Sequence, residues 1–171
     1  MKYFYRHISS KIFVIAYAFT CLFAIDVTIP DLEGYSPGDI ANIPVSTSEL
    51  SGEDIVSFYA RITYDHNIIE INHVNFENNL TQEWSSPSIN NSSPGELIIG
   101  AFGTQALLGT GVLFDMTAAV IGSGGQSTAI QLTEFYFNEG IPECETSDGS
   151  LTISEIPGCT NQDAYNYDAS A

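Results

Sequence analysis

Carboxylates are the most abundant ionisable side chains in this sequence, and carboxyl groups can act in acid–base catalysis. The sequence contains 21 Asp and Glu residues, so some pair of them will lie close together in any fold. General acid–base catalysis needs two carboxyl groups at a defined separation with shifted pKa values, and no spacing here singles out such a pair. His66 and His73 lack zinc-ligand spacing, and the chain has neither a nucleophile elbow nor a phosphate-binding loop. The sequence therefore predicts a protein that is not an enzyme.

Oxygen ligands near the end of the chain could hold a metal ion. Asn161, Asp163, Asn166 and Asp168 offer the hard oxygen atoms that calcium prefers. Their spacing is not that of an EF-hand loop, and a solvated, turn-rich tail is the alternative interpretation. The sequence suggests no cofactor besides this possible calcium ion.

The first 24 residues have the pattern of a secretory signal peptide. Lys2, Arg6 and Lys11 make a basic start, residues 12–23 form a short apolar run, and Ala24 is a small residue at a suitable cleavage point. The run is too short for a comfortable membrane span, so no stable span is expected after cleavage. The pattern predicts a secreted, extracellular protein.

Two alternatives to a cleaved signal peptide remain open. The apolar segment could be retained as an anchor, or Cys21 could carry a lipid, although bulky Phe19 makes a poor lipidation motif. In either case, residues 25–171 contain one basic residue, Arg61, against all 21 acidic ones, a net charge of −20. Such a surface repels nucleic acid and anionic membranes, so neither is an expected partner.

The elements that must position any functional side chains are strands. Residues 55–64 alternate between apolar and polar side chains, residues 65–67 form a turn, and the alternation resumes at Ile69. Similar strands recur about every ten residues between Gly- and Pro-containing turns, without helical periodicity. The pattern predicts an all-β sandwich of about eight or nine strands over residues 25–155, followed by a separate tail over residues 156–171.

Some local details are also predicted. The side-chain parity changes at residues 72–73 and again between Leu132 and Phe135, which indicates a β-bulge in each strand. Residues 33–39 form a predicted turn cluster, and Val56 is expected in the inward row of its strand.

Six segments follow one another along the chain with a recognisable order and spacing: 57–65, 68–71, 94–100, 108–118, 132–140 and 148–153. Together they resemble a cohesin domain, the nine-stranded jelly-roll module that docks dockerin domains in bacterial cellulosomes and surface assemblies. The resemblance covers about residues 26–154.

The resemblance implies a partner and a face. In cohesins the dockerin lies on the sheet that contains the strand matching residues 57–63. The corresponding outward row here is Ser57, Tyr59, Arg61 and Thr63, and Asn138 and Glu139 fall at the end of a neighbouring strand as polar rim contacts. Family members commonly place Asp or Asn early in this row, whereas this chain has Ser57 and Tyr59. Tyrosine and arginine are nevertheless typical anchors of protein interfaces.

Carbohydrate-binding modules share the same sandwich, which leaves direct sugar binding as the alternative function. Sugar recognition uses exposed aromatic rings, and Trp84 and Tyr59 are the candidates for contacting polysaccharide. Trp84 could equally be a packing residue.

The tail resembles a short Cys- and Asp-rich repeat of secreted, multi-module bacterial proteins. In those repeats a second cysteine follows, so the partner of Cys159 is expected beyond residue 171. A disulfide between Cys144 and Cys159 is the competing interpretation.

Together these features predict a secreted, non-catalytic cohesin-like module. It would dock a dockerin-type partner, itself calcium-dependent, in an extracellular assembly that degrades polysaccharide or lies at the cell surface. Attachment to the cell would occur through a region beyond residue 171.

Overall fold

The computed structural model describes residues 24–85, 87–155, 158 and 162–163. Within these residues the chain forms eleven strands and no helix. The strands are β1 (Ile25–Thr28), β2 (Asp31–Tyr35), β3 (Ile40–Thr47), β4 (Ser57–Thr63), β5 (Ile69–Asn75), β6 (Ser88–Asn90), β7 (Glu96–Phe102), β8 (Gly111–Val120), β9 (Ser127–Phe137), β10 (Cys144–Ser147) and β11 (Gly149–Ile153).

The strands form two sheets of a jelly-roll sandwich, as predicted. The back sheet has five strands in the order β10-β1-β3-β8-β5, and the front sheet has six in the order β2-β11-β9-β4-β7-β6. Two of the pairings are parallel, β1 with β10 and β2 with β11, so the first two strands of the sandwich pair with the last two.

The core lies between the sheets and is built from the inward rows of the strands. In β4, Phe58, Ala60 and Ile62 are buried, and they alternate with half-buried residues on the outer face. Val56 was expected to continue this inward row, but it is 39% exposed because it precedes the strand. The expectation that Val56 is buried was therefore wrong.

Both predicted bulges are confirmed. The pairing of β5 with β8 shifts register between Ile71 and His73. The pairing of β4 with β9 shifts between Arg61 and Ile62, where Thr133 is the additional residue of β9. Because of the second bulge, the side chains of Ile130, Leu132 and Phe137 all point into the core, although the first two have even residue numbers and the third an odd one.

The strand count exceeds the predicted nine. Residues 33–35 were expected in a turn, but they complete β2 because this strand pairs with β11. Likewise β10 pairs with β1 at the edge of the back sheet. Both strands are exposed along most of their length, so neither has the apolar alternation that marks a strand in sequence.

The turn at residues 65–67 carries the chain from β4 in the front sheet to β5 in the back sheet. The Asp65 carboxylate accepts hydrogen bonds from the backbone N–H and the side-chain amide of Asn67, each at 2.9 Å. These bonds favour the charged form and lower the pKa of Asp65. The corner is therefore fixed by local side-chain bonding as well as by the sheets.

Candidate partner-binding face

The predicted outward row of β4 lies in the middle of the front sheet, on its outer face. Antiparallel pairing places Tyr59 between Gly100 of β7 and Tyr136 of β9, and it places Arg61 between Ile98 and Glu134. Strand alternation puts all of these side chains on the same face. We call this surface, centred on Tyr59 and Arg61, the front face.

Arg61 is bound by its neighbours on the front face. Its guanidinium donates a hydrogen bond to Glu96 at 2.7 Å and another to the Tyr59 hydroxyl at 3.3 Å. Its Nε atom lies 3.5 Å from Glu134 but is buried without a well-aligned hydrogen bond, so we treat that contact as electrostatic. The Tyr59 hydroxyl and then Glu96 raise the pKa of the Arg61 guanidinium.

Tyr59 and Tyr136 stack on each other across β4 and β9. Their ring centroids are 5.1 Å apart and the ring planes differ by 14°. The pair is held in place on one side by this stacking and on the other by the contact from Arg61 to the Tyr59 hydroxyl. A rigid aromatic pair with a fixed cation is the kind of surface that anchors protein interfaces.

The structure adds residues of β7 that the sequence did not single out. Phe102 pairs with Ser57 and is 60% exposed, and Ile98 pairs with Arg61 and is half-buried. Residues 97–102 are almost all apolar, so their pattern does not indicate which side chains face outward. The pairing with β4 supplies that information, and in the same way it adds Glu134 and Tyr136 of β9.

Asn138 and Glu139 lie beyond the end of β9. The Asn138 side-chain oxygen accepts hydrogen bonds from the backbone N–H groups of Val56 and Ser57, at 3.0 and 3.2 Å. Its amide group donates to the carbonyl oxygens of Asp54 and Ile141, at 3.4 and 3.1 Å. Glu139 is exposed. Asn138 thus holds the backbone at the start of β4. Glu139 remains a predicted rim contact, and its side chain is accessible to a partner.

The match to a protein-family model covers residues 25–153 and is to the cohesin domain. The chain belongs to the cohesin family. A search of curated proteins gave no match.

Solved cohesins have the same fold as this domain. A non-cellulosomal cohesin from the archaeon Archaeoglobus fulgidus is 18% identical, with a TM-score of 0.65 over 78% of this chain and 93% of that one. The sixth cohesin of scaffoldin B from Acetivibrio cellulolyticus, solved with a Cel5 dockerin, is 17% identical, with a TM-score of 0.66 over 77% and 100%. The cohesin of a type I cohesin–dockerin complex from Clostridium thermocellum is 18% identical, with a TM-score of 0.65 over 78% of this chain and 96% of that one.

Trp84, the candidate sugar contact of this cohesin domain, packs against the core. Its ring stacks on Phe58 with centroids 6.1 Å apart, and its indole N–H donates to the carbonyl oxygen of Gln105 at 3.1 Å. Gly103 lies directly against the indole ring. The second sugar candidate, Tyr59, is half-buried in its stack with Tyr136. The two rings therefore lie in different settings and do not form one platform.

The remaining predicted sites fall in or near the tail. Cys144 is half-buried and its thiol lies 3.8 Å from the carbonyl oxygen of Phe135; burial raises the pKa of the thiol. Cys159, Asn161, Asn166 and Asp168 lie outside the described residues, and Asp163 is exposed. The part of the chain that the structure describes holds no cluster of three potential metal ligands and no helix long and apolar enough to cross a bilayer.

Proposed function

We propose that this cohesin domain is a non-catalytic module that docks a dockerin-type partner on its front face. The observation that carries the proposal is the arrangement of Tyr59, Tyr136 and Arg61 at the centre of a cohesin sheet. Two of the three solved cohesins described above are in complex with dockerins.

The front face is suited to docking because its central side chains are already ordered. A side chain that becomes fixed on binding costs roughly 0.5–1.5 kcal/mol in lost rotamer freedom. Tyr59 is held by the Tyr136 stack, and Arg61 is held by Glu96 and by the Tyr59 hydroxyl. Much of that entropy is lost on folding, so it does not oppose binding.

The setting of this function is part of the proposal. The signal-peptide pattern of residues 1–24 supports secretion, and the strong negative charge suits an exported protein. We place the module in an extracellular assembly that acts on polysaccharide or lies at the cell surface. Binding of polysaccharide would then be a property of other parts of the assembly.

Replacing Tyr59→Ala together with Arg61→Ala tests the front face. The double variant should lose capture of dockerins that the wild type binds, because the aromatic anchor and the residue that orders it are both removed. Its thermal unfolding temperature should change little, since both side chains are partly exposed on the outer face. The measurement is surface capture of a panel of purified dockerin modules, with calorimetric melting in parallel.

The matched control lies on the other sheet. Glu70→Ala with His73→Ala changes two exposed residues on the outer face of β5 and should leave capture intact. Undiminished capture by the Tyr59 and Arg61 double variant would show that the partner binds elsewhere.

A further inference from the structure

Gly100 stands in the middle of β7 without a local structural reason to be glycine. Its backbone lies outside the left-handed region, and a Cβ built on it would have no atom within 4 Å. Glycine inside a strand weakens the strand, and it often marks a position where another molecule comes close to the backbone. The free space at Gly100 points outward, on the front face.

The neighbours of Gly100 form the walls of a shallow notch. Ile98 and Phe102 precede and follow it on the outer row of β7, about 13 Å apart at strand spacing. Across the sheet it is paired with Tyr59 on one side and with Ser88 of β6 on the other. We call this depression the Gly100 notch.

The Tyr59–Tyr136 stack keeps the notch open. Tyr136 lies on β9, on the side of β4 away from β7, so stacking draws the Tyr59 ring away from Gly100. The absence of atoms around the Gly100 Cβ position, in the described part of the chain, agrees with this. The result is a bare stretch of backbone between two apolar side chains, wide enough for one side chain of a partner.

The charges around the notch indicate the chemistry of its occupant. Arg61 faces two carboxylates, Glu96 and Glu134, so this group has a net charge of −1 within a domain that is strongly acidic overall. Like charge disfavours a second copy of this chain as the occupant. An aliphatic side chain with Lys or Arg beside it matches both the apolar walls and the acidic surroundings.

We propose that the Gly100 notch is the specificity-determining position of the front face and receives one aliphatic side chain, flanked by basic residues, from the dockerin-type partner. This inference rests on the proposed function. Arg61 then acts as a positioning residue, which orders Tyr59 and the two carboxylates rather than pairing with the partner.

Filling the notch is the test. Gly100→Val should weaken binding of a captured dockerin by about tenfold or more, the equivalent of about 1.4 kcal/mol. Valine favours strands and its Cβ would meet no atom within 4 Å there, so the unfolding temperature should stay the same or rise. Ala119→Val, the matched control on the outer row of β8, should leave binding unchanged.

The aliphatic occupant is identified by an alanine scan of the bound dockerin. One aliphatic-to-Ala change should weaken binding to wild type yet have little effect on binding to Gly100→Val, which is the non-additivity expected of two groups in contact. Equal affinity of Gly100→Val and wild type, or full additivity at every position, would overturn the notch while the proposed function stands. Failure of the wild type to capture any dockerin would overturn the proposed function, and the notch with it.

Discussion

Arg61 is the one Lys or Arg residue in residues 25–171, and its guanidinium contacts three neighbouring side chains. Arg61, which the family resemblance predicts as a partner contact, donates to Glu96 and to the Tyr59 hydroxyl and lies near Glu134. Exposed ion pairs of this kind add little to stability, typically about 0–1 kcal/mol. Their effect here is to hold three side chains of the front face in a fixed arrangement.

Two glycines three residues apart make a sharp test at the residue scale. A Cβ at Gly103 would overlap the indole ring of Trp84, whereas a Cβ at Gly100 would meet nothing. Gly103→Ala should therefore lower the free energy of unfolding by about 1–3 kcal/mol through overpacking. Gly100→Ala should leave it unchanged or raise it by about 0.5 kcal/mol.

Urea denaturation of the two variants and the wild type measures this difference. Each variant is the control for the other, since the chemical change is identical. Equal stabilities would mean that Trp84 does not pack on Gly103, and the indole would again become available as a sugar contact.

Among the elements, the start of β4 depends on a residue that follows β9. Asn138 has a positive φ of 47°, a conformation that asparagine tolerates better than most residues, and its side chain binds the backbone of the segment before β4. Ser57, the first residue of β4 on the front face, is therefore positioned by a loop that is distant in sequence.

Asn138→Ala should destabilise the domain by about 1–3 kcal/mol, because two backbone N–H groups and two carbonyl oxygens lose their partner. Glu139→Ala, next in sequence and exposed, should change the free energy of unfolding by less than about 0.5 kcal/mol. Chemical denaturation followed by tryptophan fluorescence reports both. Unchanged stability of Asn138→Ala, combined with weaker dockerin capture, would favour the rim-contact role predicted from sequence instead.

The elements also show what a sequence can reveal about this fold. A strand with one buried row, such as β4, is visible in the sequence as an alternation of apolar and polar residues. A bulge that shifts this row, such as the one at Thr133, is visible as a change in the parity of the apolar positions. The exposed strands β2 and β10 are not, because hydrogen bonds to distant partners maintain them rather than burial. Alternation and family resemblance predicted the β4 row of the candidate site. Gly100, Phe102 and Tyr136 join it through cross-strand register, which no local pattern encodes.

For the molecule as a whole, the described hydrogen bonds close the sandwich at residue 154. Ser154 donates to the carbonyl oxygen of Tyr35 at 2.8 Å, and Ile153 donates to that of Gln126 at 2.9 Å. A chain ending at Glu155 therefore retains every strand of both sheets, and it should still unfold cooperatively under reducing conditions.

Differential scanning calorimetry of this chain and of the chain ending at Ala171, with and without reductant, checks this prediction. A lower midpoint for the shorter chain in reductant would show that the tail packs on the sandwich. A difference present only under oxidising conditions would indicate the Cys144–Cys159 disulfide, since closing a loop of about 15 residues is worth about 3 kcal/mol.

The two parallel pairings, β1 with β10 and β2 with β11, bear on how the domain responds to mechanical force. A pull applied at residues 25 and 155 draws β1 towards its N-terminal end and β11 towards its C-terminal end. The parallel partner of β1 is β10, which leads directly into β11, and the parallel partner of β11 is β2, which directly follows β1. The two strands of each pair are therefore pulled in opposite directions along the strand axis, and their hydrogen bonds are loaded together in shear instead of opening one by one. We therefore expect the domain to resist extension when force is applied at its two ends.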